Sequence, residues 1–163
     1  MRKILVSSAF AVCVALTSSA FAMGSSDPSP KDDYKKAVKE IDAKNFAAAE
    51  KILIGYVAKE AKDPNGWNYL AFSQRNLGKN DDAMTNYNVA LGLNPKHKGA
   101  LEYQGELFLK LGDMDAAKAN LAKLEVVCKK KCEERDVLQA AIERAKDGKT
   151  PWISPERTRG EGN

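Results

Sequence analysis

Asn65-Gly66-Trp67-Asn68-Tyr69-Leu70-Ala71-Phe72-Ser73-Gln74-Arg75-Asn76-Leu77-Gly78 is followed by Lys79-Asn80-Asp81-Asp82, a run from Ala83 to Leu93, and Asn94-Pro95. In the first stretch Trp67, Leu70, Ala71, Phe72 and Leu77 recur at steps of three and four or near them, which puts most of them on one face of a helix over Asn65–Leu77. Gly78 is the residue type that ends a helix in a left-handed conformation. Asn80-Asp81-Asp82 offers cap candidates for a second helix over Ala83–Leu93. Asn94-Pro95 stops that helix, because the residue before proline avoids the α region. The reading is a pair of helices joined by a short turn.

Outward from this pair the pattern repeats. Ala49, Ala83 and Ala117 are spaced by 34 residues, as are Ala37, Ala71 and Gly105, then Leu53, Tyr87 and Leu121, and Tyr56, Ala90 and Leu124. Gly78 matches Gly112, with Lys44 in that slot of the first unit. A fixed period of this length means stacked supersecondary units. The first unit reads as helices over Lys31–Ala43 and Phe46–Ala61, closed before Asp63-Pro64, and the third as Ala100–Leu111 and Asp115–Val127. One helix pair cannot bury its own apolar face, whereas three stacked pairs can. The small residues belong at the closest approaches of helix axes roughly 8–10 Å apart, and Trp67, Leu70, Phe72, Tyr87 and Phe108 fill the space around them. A last helix over Glu133–Lys146 carries Val137, Leu138, Ala141, Ile142 and Ala145 on one side and charge on the other, and is expected to cap the open end.

Trp67-x-x-Leu70-Ala71-x-x-Gln74, Ala83-x-x-x-Tyr87 and Pro95 together resemble a tetratricopeptide repeat (TPR). The family has Gly at Ala71 and Tyr at Gln74. The third unit offers Leu101, Gln104, Gly105, Phe108, Ala117, Leu121 and Leu124 but has Lys129 for the closing proline, and in the first unit Asp33 and Lys36 replace two apolar signature residues. The resemblance covers residues 31–128. It implies an all-α fold, a right-handed superhelix of about three TPR helix pairs plus the capping helix. It also implies a concave groove, lined by the first helix of each pair, that binds a peptide or protein. Carried over by repeat position, the groove candidates are Lys31, Tyr34, Val38 and Ile41, then Asn68, Phe72, Arg75 and Asn76, then Glu102, Glu106 and Lys110. Asn68, Arg75, Asn76 and Glu106 are the strongest, as their position faces outward. Tyr34, Val38, Gly99 and Tyr103 stand where some relatives clamp a C-terminal carboxylate, which speaks against such a clamp here.

The ends read differently. Basic Met1–Lys3, apolar Ile4–Leu16 and small-polar Thr17–Ala22 form a secretory signal, with cleavage expected after Ala22. Cys13 follows Phe10-Ala11-Val12, lacks the small neighbour of a lipid-modified Cys, and goes with the signal. Met23–Pro30 reads as a flexible leader, residues 31–147 as the TPR domain with its capping helix over 133–146, and residues 148–163 as a tail without a helical pattern, either disordered or a strap held by Trp152. The 163-residue chain carries +4; Arg2 and Lys3 leave with the signal, so the exported form carries +2. That small imbalance does not argue for nucleic acid, and no segment beyond Ile4–Met23 could span a bilayer.

Export permits a disulfide, and Cys128-Lys129-Lys130-Lys131-Cys132 falls at an inter-repeat turn, where a reversal of the chain brings two Cys together. A redox dithiol is the alternative, but the spacing is three residues and no thioredoxin-like unit surrounds it. His97, between Lys96 and Lys98, reads as an exposed turn residue rather than a base, and it is the only His. Metal ligands and phosphate loops are lacking, so no cofactor and no catalytic residue is expected. The functional expectation is a non-enzymatic adaptor in the bacterial periplasm, or secreted, that binds a protein partner of unspecified identity. The alternatives are a thiol-active module using Cys128 and Cys132 and a self-associating structural subunit.

Overall fold

The computed structural model describes residues 29–149. The signal, residues 23–28 of the leader, and the tail from residue 150 with Trp152 lie outside the described residues. Seven helices and no strand occur among those described: α1 (Pro30–Asp42), α2 (Phe46–Lys59), α3 (Pro64–Asn76), α4 (Asn80–Leu93), α5 (Lys98–Lys110), α6 (Met114–Val127) and α7 (Glu133–Lys146). Ser29 and Pro30, read above as leader, instead start α1: Ser29 is the N-cap and Pro30 takes the first helical position, where its missing N–H costs nothing.

The helices α1, α3 and α5 each start on a side-chain cap. Asp63 accepts the Asn65 amide at 2.9 Å at the head of α3, and His97 Nδ1 accepts the Ala100 amide at 3.1 Å at the head of α5. Such caps satisfy amides that have no partner within the helix. The caps expected from Asn80-Asp81-Asp82 do not form: these residues are the first turn of α4, and Lys79 precedes it without a side-chain bond. Asp81 and Asp82 there face the positive end of the helix dipole.

The helix ends are more uniform than the starts. After α3, the Lys79 amide bonds to the Gln74 carbonyl at 2.9 Å and the Gly78 amide to Arg75 at 3.1 Å, which is a Schellman motif. The same pair of bonds closes α1 (Asn45 to Glu40, Lys44 to Ile41), α5 (Asp113 to Phe108, Gly112 to Leu109) and α7 (Lys149 to Arg144, Gly148 to Ala145). The motif needs one left-handed residue. Gly78, Gly112 and Gly148 supply it at φ 79°, 85° and 68°, and Lys44 is forced into it at φ 61°. Gly112 to Gly148 spans 36 residues, as does Gly105 to Ala141, so α7 stands as the first helix of a fourth unit displaced by two residues in the preceding loop.

The packing has two layers. α1 touches α3, α3 touches α5 and α5 touches α7, but no two of α2, α4 and α6 touch. The layer whose members meet is the inner one of a curved stack, and the splayed layer is the outer one. Ala37, Ala49, Ala71, Ala83, Ala90 and Ala117 are fully buried where helices cross. A Cβ on Gly105 would lie 2.6 Å from Leu138 Cδ2, so glycine is what lets α7 lie this close to α5. Leu101, Leu109, Leu124, Leu138, Ala141 and Ile142 form the core of that end.

A left-handed non-glycine residue costs roughly 1–2 kcal/mol. Lys44→Gly is therefore expected to stabilise the protein by about 1 kcal/mol, less the extra entropy glycine gives the unfolded chain. Thermal unfolding checks this, with an expected rise of about 4 °C; an unchanged or lower midpoint counts against the strain.

Candidate functional site

The inner layer is where the groove residues were expected, and the structure places them there with less exposure than their repeat position suggested. Ile41, Asn68, Phe72, Arg75, Glu102 and Glu106 are buried, Tyr34, Val38 and Asn76 are half-buried, and Lys31 and Lys110 are exposed. The outward orientation expected for Asn68, Arg75 and Glu106 is thus corrected: neighbouring inner helices cover them. Asn76 Nδ2 donates to the Phe72 carbonyl of its own helix at 2.7 Å, and Lys110 Nζ donates to Asn80 Oδ1 at 3.1 Å and to the Arg75 carbonyl at 3.4 Å.

Arg75 is the centre of the seam between α3 and α5. Its Nη1 donates to Glu106 Oε2 at 2.5 Å and to the Tyr103 carbonyl at 3.3 Å. The guanidinium stacks over the rings of Phe72 and Tyr103, 5.3 and 5.5 Å from their centroids. Burial alone would push the guanidinium pKa down, but the Tyr87 hydroxyl and the Glu106 carboxylate outweigh it and hold it above its ordinary value. Arg75 is therefore a permanent buried cation, paired with a carboxylate 31 residues away. The Tyr87 hydroxyl beneath has no hydrogen-bond partner among the described residues, and burial pushes its pKa up.

Two groups of aromatic rings, one of them at this pair, were assigned piecemeal or missed from sequence. Phe46 meets Phe72 edge-on at 6.0 Å, Phe72 meets Tyr103 at 4.8 Å, and Tyr34 meets Tyr56 at 5.3 Å and Tyr69 at 5.8 Å. Tyr34, Phe46, Tyr69 and Tyr103 are half-buried, so each ring bridges a seam and keeps part of its surface in solvent. Tyr69 and Tyr103 are 34 residues apart, a signal that a search for equivalent aromatic positions would have found. Tyr56 donates to Asp63 Oδ2 at 2.7 Å, and Trp67, expected as core, is half-buried with Nε1 donating to the Ala61 carbonyl at 2.8 Å.

His97 is not the exposed turn residue expected. Nδ1 caps α5, which makes Nε2 the protonated nitrogen, and Nε2 donates to Asn65 Oδ1 at 3.0 Å across the inter-repeat turn. The ring lies in a cleft of about 140 Å³ with Asn65, Lys96, Lys98, Gly99 and Glu134. At the other end, the loop after α6 buries Cys128 and Cys132 with their Cα atoms 5.7 Å apart, inside the roughly 4.4–6.8 Å that a disulfide spans. Among the described residues no group of three or more His, Cys, Asp and Glu side chains is placed to hold a metal ion, and no helix is long and apolar enough to cross a membrane.

The backbone is similar to that of the Yersinia enterocolitica type III secretion translocator chaperone SycD, with a TM-score of 0.66 at 16% identity over 72% of this chain and 83% of that one. The fold is a TPR-like superhelix. SycD in complex with a peptide of the translocator YopD matches with a TM-score of 0.64 at 16% identity, covering 72% of this chain and 92% of that one. PcrH in complex with the chaperone binding region of PopD matches at 0.65 and 16%, covering 72% and 91%. No protein-family model matches the sequence, and no curated protein matches it.

Removing one partner of a buried ion pair costs about 3–5 kcal/mol, whereas replacing both with apolar groups is often neutral. Arg75→Ala is expected to destabilise by about 3 kcal/mol, and the pair Arg75→Met with Glu106→Leu to restore most of the loss; denaturant titration of the three proteins checks it. A second expectation concerns acid. Burial lowers the His97 pKa in the folded protein, with Asp63 and Glu134 opposing weakly. The unfolded chain then binds the proton more readily, so stability is full above about pH 6.5 and falls as pH drops through the folded pKa. His97→Asn keeps a capping side chain and is expected to flatten this dependence, as read from midpoints between pH 7.5 and 5.

Proposed function

We propose that this protein is a non-enzymatic adaptor that binds an extended or helical peptide of a partner protein along its inner face. The observation that carries the reading is the set of half-exposed rings Tyr34, Tyr69 and Tyr103 on α1, α3 and α5, joined by Phe46 from the head of α2 against Phe72, with the buried Arg75–Glu106 pair fixing the geometry beneath. Large aromatic surfaces with few rotatable bonds are what recognition sites use to gain area at low entropic cost. The rim above them carries Asn76 and Lys110, whose polar groups suit a peptide backbone or an acidic side chain. The occurrence of TPR-like chaperones in complexes with peptides of their partners supports the reading by analogy of fold. Asn68, Phe72, Arg75, Glu102 and Glu106 enter it as supports of the binding face rather than as its surface.

Export completes the proposal. The signal-like residues 1–22 direct the chain to the bacterial periplasm or beyond, and the oxidising compartment joins Cys128 to Cys132. The bond closes a short loop and contributes about 2 kcal/mol through the unfolded state. Its role is to hold α7 on α6, with the three lysines between the Cys exposed in solvent.

A photo-crosslinking side chain placed at Tyr103 or Tyr69 is expected to capture a partner in living cells, while the same group at Ile54 on the outer layer captures none. Tyr69→Ala and Tyr103→Ala are each expected to weaken binding about tenfold, or about 1.4 kcal/mol, with helical circular dichroism retained. Equal capture from both layers would overturn the assignment of the inner face.

A further inference from the structure

Two reversals of the chain in every unit return each inner helix to the same starting edge, so the loops before α3, α5 and α7 all lie along one edge of the stack. The two loops nearest α7 carry lysines that no carboxylate neutralises. Lys96 and Lys98 flank His97 at the head of α5, and Lys129, Lys130 and Lys131 fill the loop between α6 and α7. All are exposed except Lys98, which is half-buried, and none forms an ion pair among the described residues. At the opposite edge Lys79, Lys118, Lys146 and Lys149 each reach a carboxylate, at 2.7, 3.5, 2.8 and 3.2 Å. At the unit-one end of the same edge Lys59 pairs with Asp33 at 3.3 Å, and Lys62 has Glu60 and Asp63 close by in sequence. The unpaired charge is thus gathered at one corner.

That corner is continuous. The cleft beside His97 is lined by Lys96 and Lys98 from one loop and by Glu134 from the first turn of α7. Arg135, next in that turn, donates from Nη1 to the Lys130 carbonyl at 3.4 Å, which ties the second loop to the same helix head. The ends of that loop are pinched, with the Cys128 and Cys132 Cα atoms 5.7 Å apart, so its three lysines form a tip. The acidic residues nearby, Glu125, Glu133, Glu134 and Asp136, belong to the helices behind the tip, and Arg135 takes up Asp136 at 2.6 Å. Apolar side chains stand in water beside the lysines. Val126 is 82% exposed and Leu93 is 42% exposed, each in the last turn of an outer helix just before its loop, and Pro95 is exposed between Leu93 and Lys96.

We infer that this corner is a docking surface for an anionic lipid bilayer, met edge-on by the loop tips. Cations on projecting loops do not converge on a groove, as recognition of a bound peptide requires, but together they can reach a plane of phosphates. Each lysine near such a surface adds attraction. Val126, Leu93 and Pro95 find an apolar environment at the boundary of headgroups and acyl chains, and basic residues with apolar neighbours are the combination that interfacial segments use. The aliphatic side chains among the lysines favour lipid over an acidic polypeptide, which would leave them in water. The helices then stand upright on the bilayer, and the inner face stays open from the side.

Sedimentation with vesicles tests this on the exported form, residues 23–163, which lacks the apolar segment of the signal. Binding is expected to vesicles of phosphatidylcholine mixed with phosphatidylglycerol and not to phosphatidylcholine alone, and it is expected to fall as salt is added. Lys129→Ser, Lys130→Ser and Lys131→Ser combined are expected to weaken it about a hundredfold, about a factor of five for each lysine. Val126→Ser with Leu93→Ser is expected to weaken it about tenfold. Lys118→Ser at the opposite edge is expected to leave it unchanged, which separates the corner from net charge. Should the triple variant lose its helical circular dichroism, Lys96→Ser with Lys98→Ser decides, with an expected loss of about twentyfold. No binding to the mixed vesicles, equal binding to both kinds, or an unchanged affinity in any of these multiple variants overturns the proposal. Capture of a polyglutamate peptide without binding to vesicles overturns it in favour of an acidic polypeptide.

Discussion

Two helices in one unit can lie against each other only where neither carries a large side chain, and this constraint governs the rest of the molecule. Ala37 and Ala49, Ala71 and Ala83, and Ala117 are the residues that meet it and are fully buried, while Gly105, at the repeat position of Ala37 and Ala71, lies against Leu138 of α7. Close packing at these points brings the flanking Leu53, Tyr87 and Leu124 to zero exposure, each such side chain contributing about 1.5–3 kcal/mol. Enlarging any small member would force the axes apart and loosen every contact of that pair at once. The 34-residue spacing follows from this requirement, since each unit must present its small residues at the same height on both helices.

Helix ends were less legible than helix bodies. The apolar stripes located all seven helices to within three residues, and the boundaries of α7 were read without error. Gly78 and Gly112 announced their turns because glycine is the residue that reaches positive φ cheaply. Lys44 carried no such signal of its own and was noticed only through its repeat position. Starts were harder. His97 caps α5 with a ring nitrogen, which is not a residue type that marks a cap, whereas the acidic run Asp81-Asp82 looks like a cap and serves as a first turn.

The candidate site was legible as to place but not as to exposure. Period and position located the inner helices, because that information is local. Burial of Asn68, Arg75, Glu102 and Glu106 depends on which residue the next unit presents across the seam, and Arg75 finds Glu106 at a sequence distance of 31. A charged residue at an outward-facing position of an isolated helix pair is correctly read as exposed; stacking covers it. The aromatic groups were missed for a related reason. Tyr34 belongs to one repeat position and Tyr69 and Tyr103 to another, so no single column of the repeat shows them as a group, although Tyr34 and Tyr69 meet in space.

The seams of the inner layer are not equivalent, and the difference follows from side-chain size. At α5–α7 a glycine faces Leu138, and these helices lie together along much of their length. At α1–α3 and α3–α5 the inner helices meet at few points, and the space between is filled by Tyr34, Tyr69, Phe72, Tyr103 and the Arg75 guanidinium. Large rings hold the first three inner helices apart; glycine lets the fourth close in. One end of the stack is therefore a dense apolar core and the other a wider, ring-lined face whose geometry an ion pair fixes. An ion pair costs more desolvation than an apolar contact of equal volume, so it suits a seam that must keep a set width while leaving aromatic surface free. The same stacking that makes the fold leaves the proposed binding face where packing is least complete.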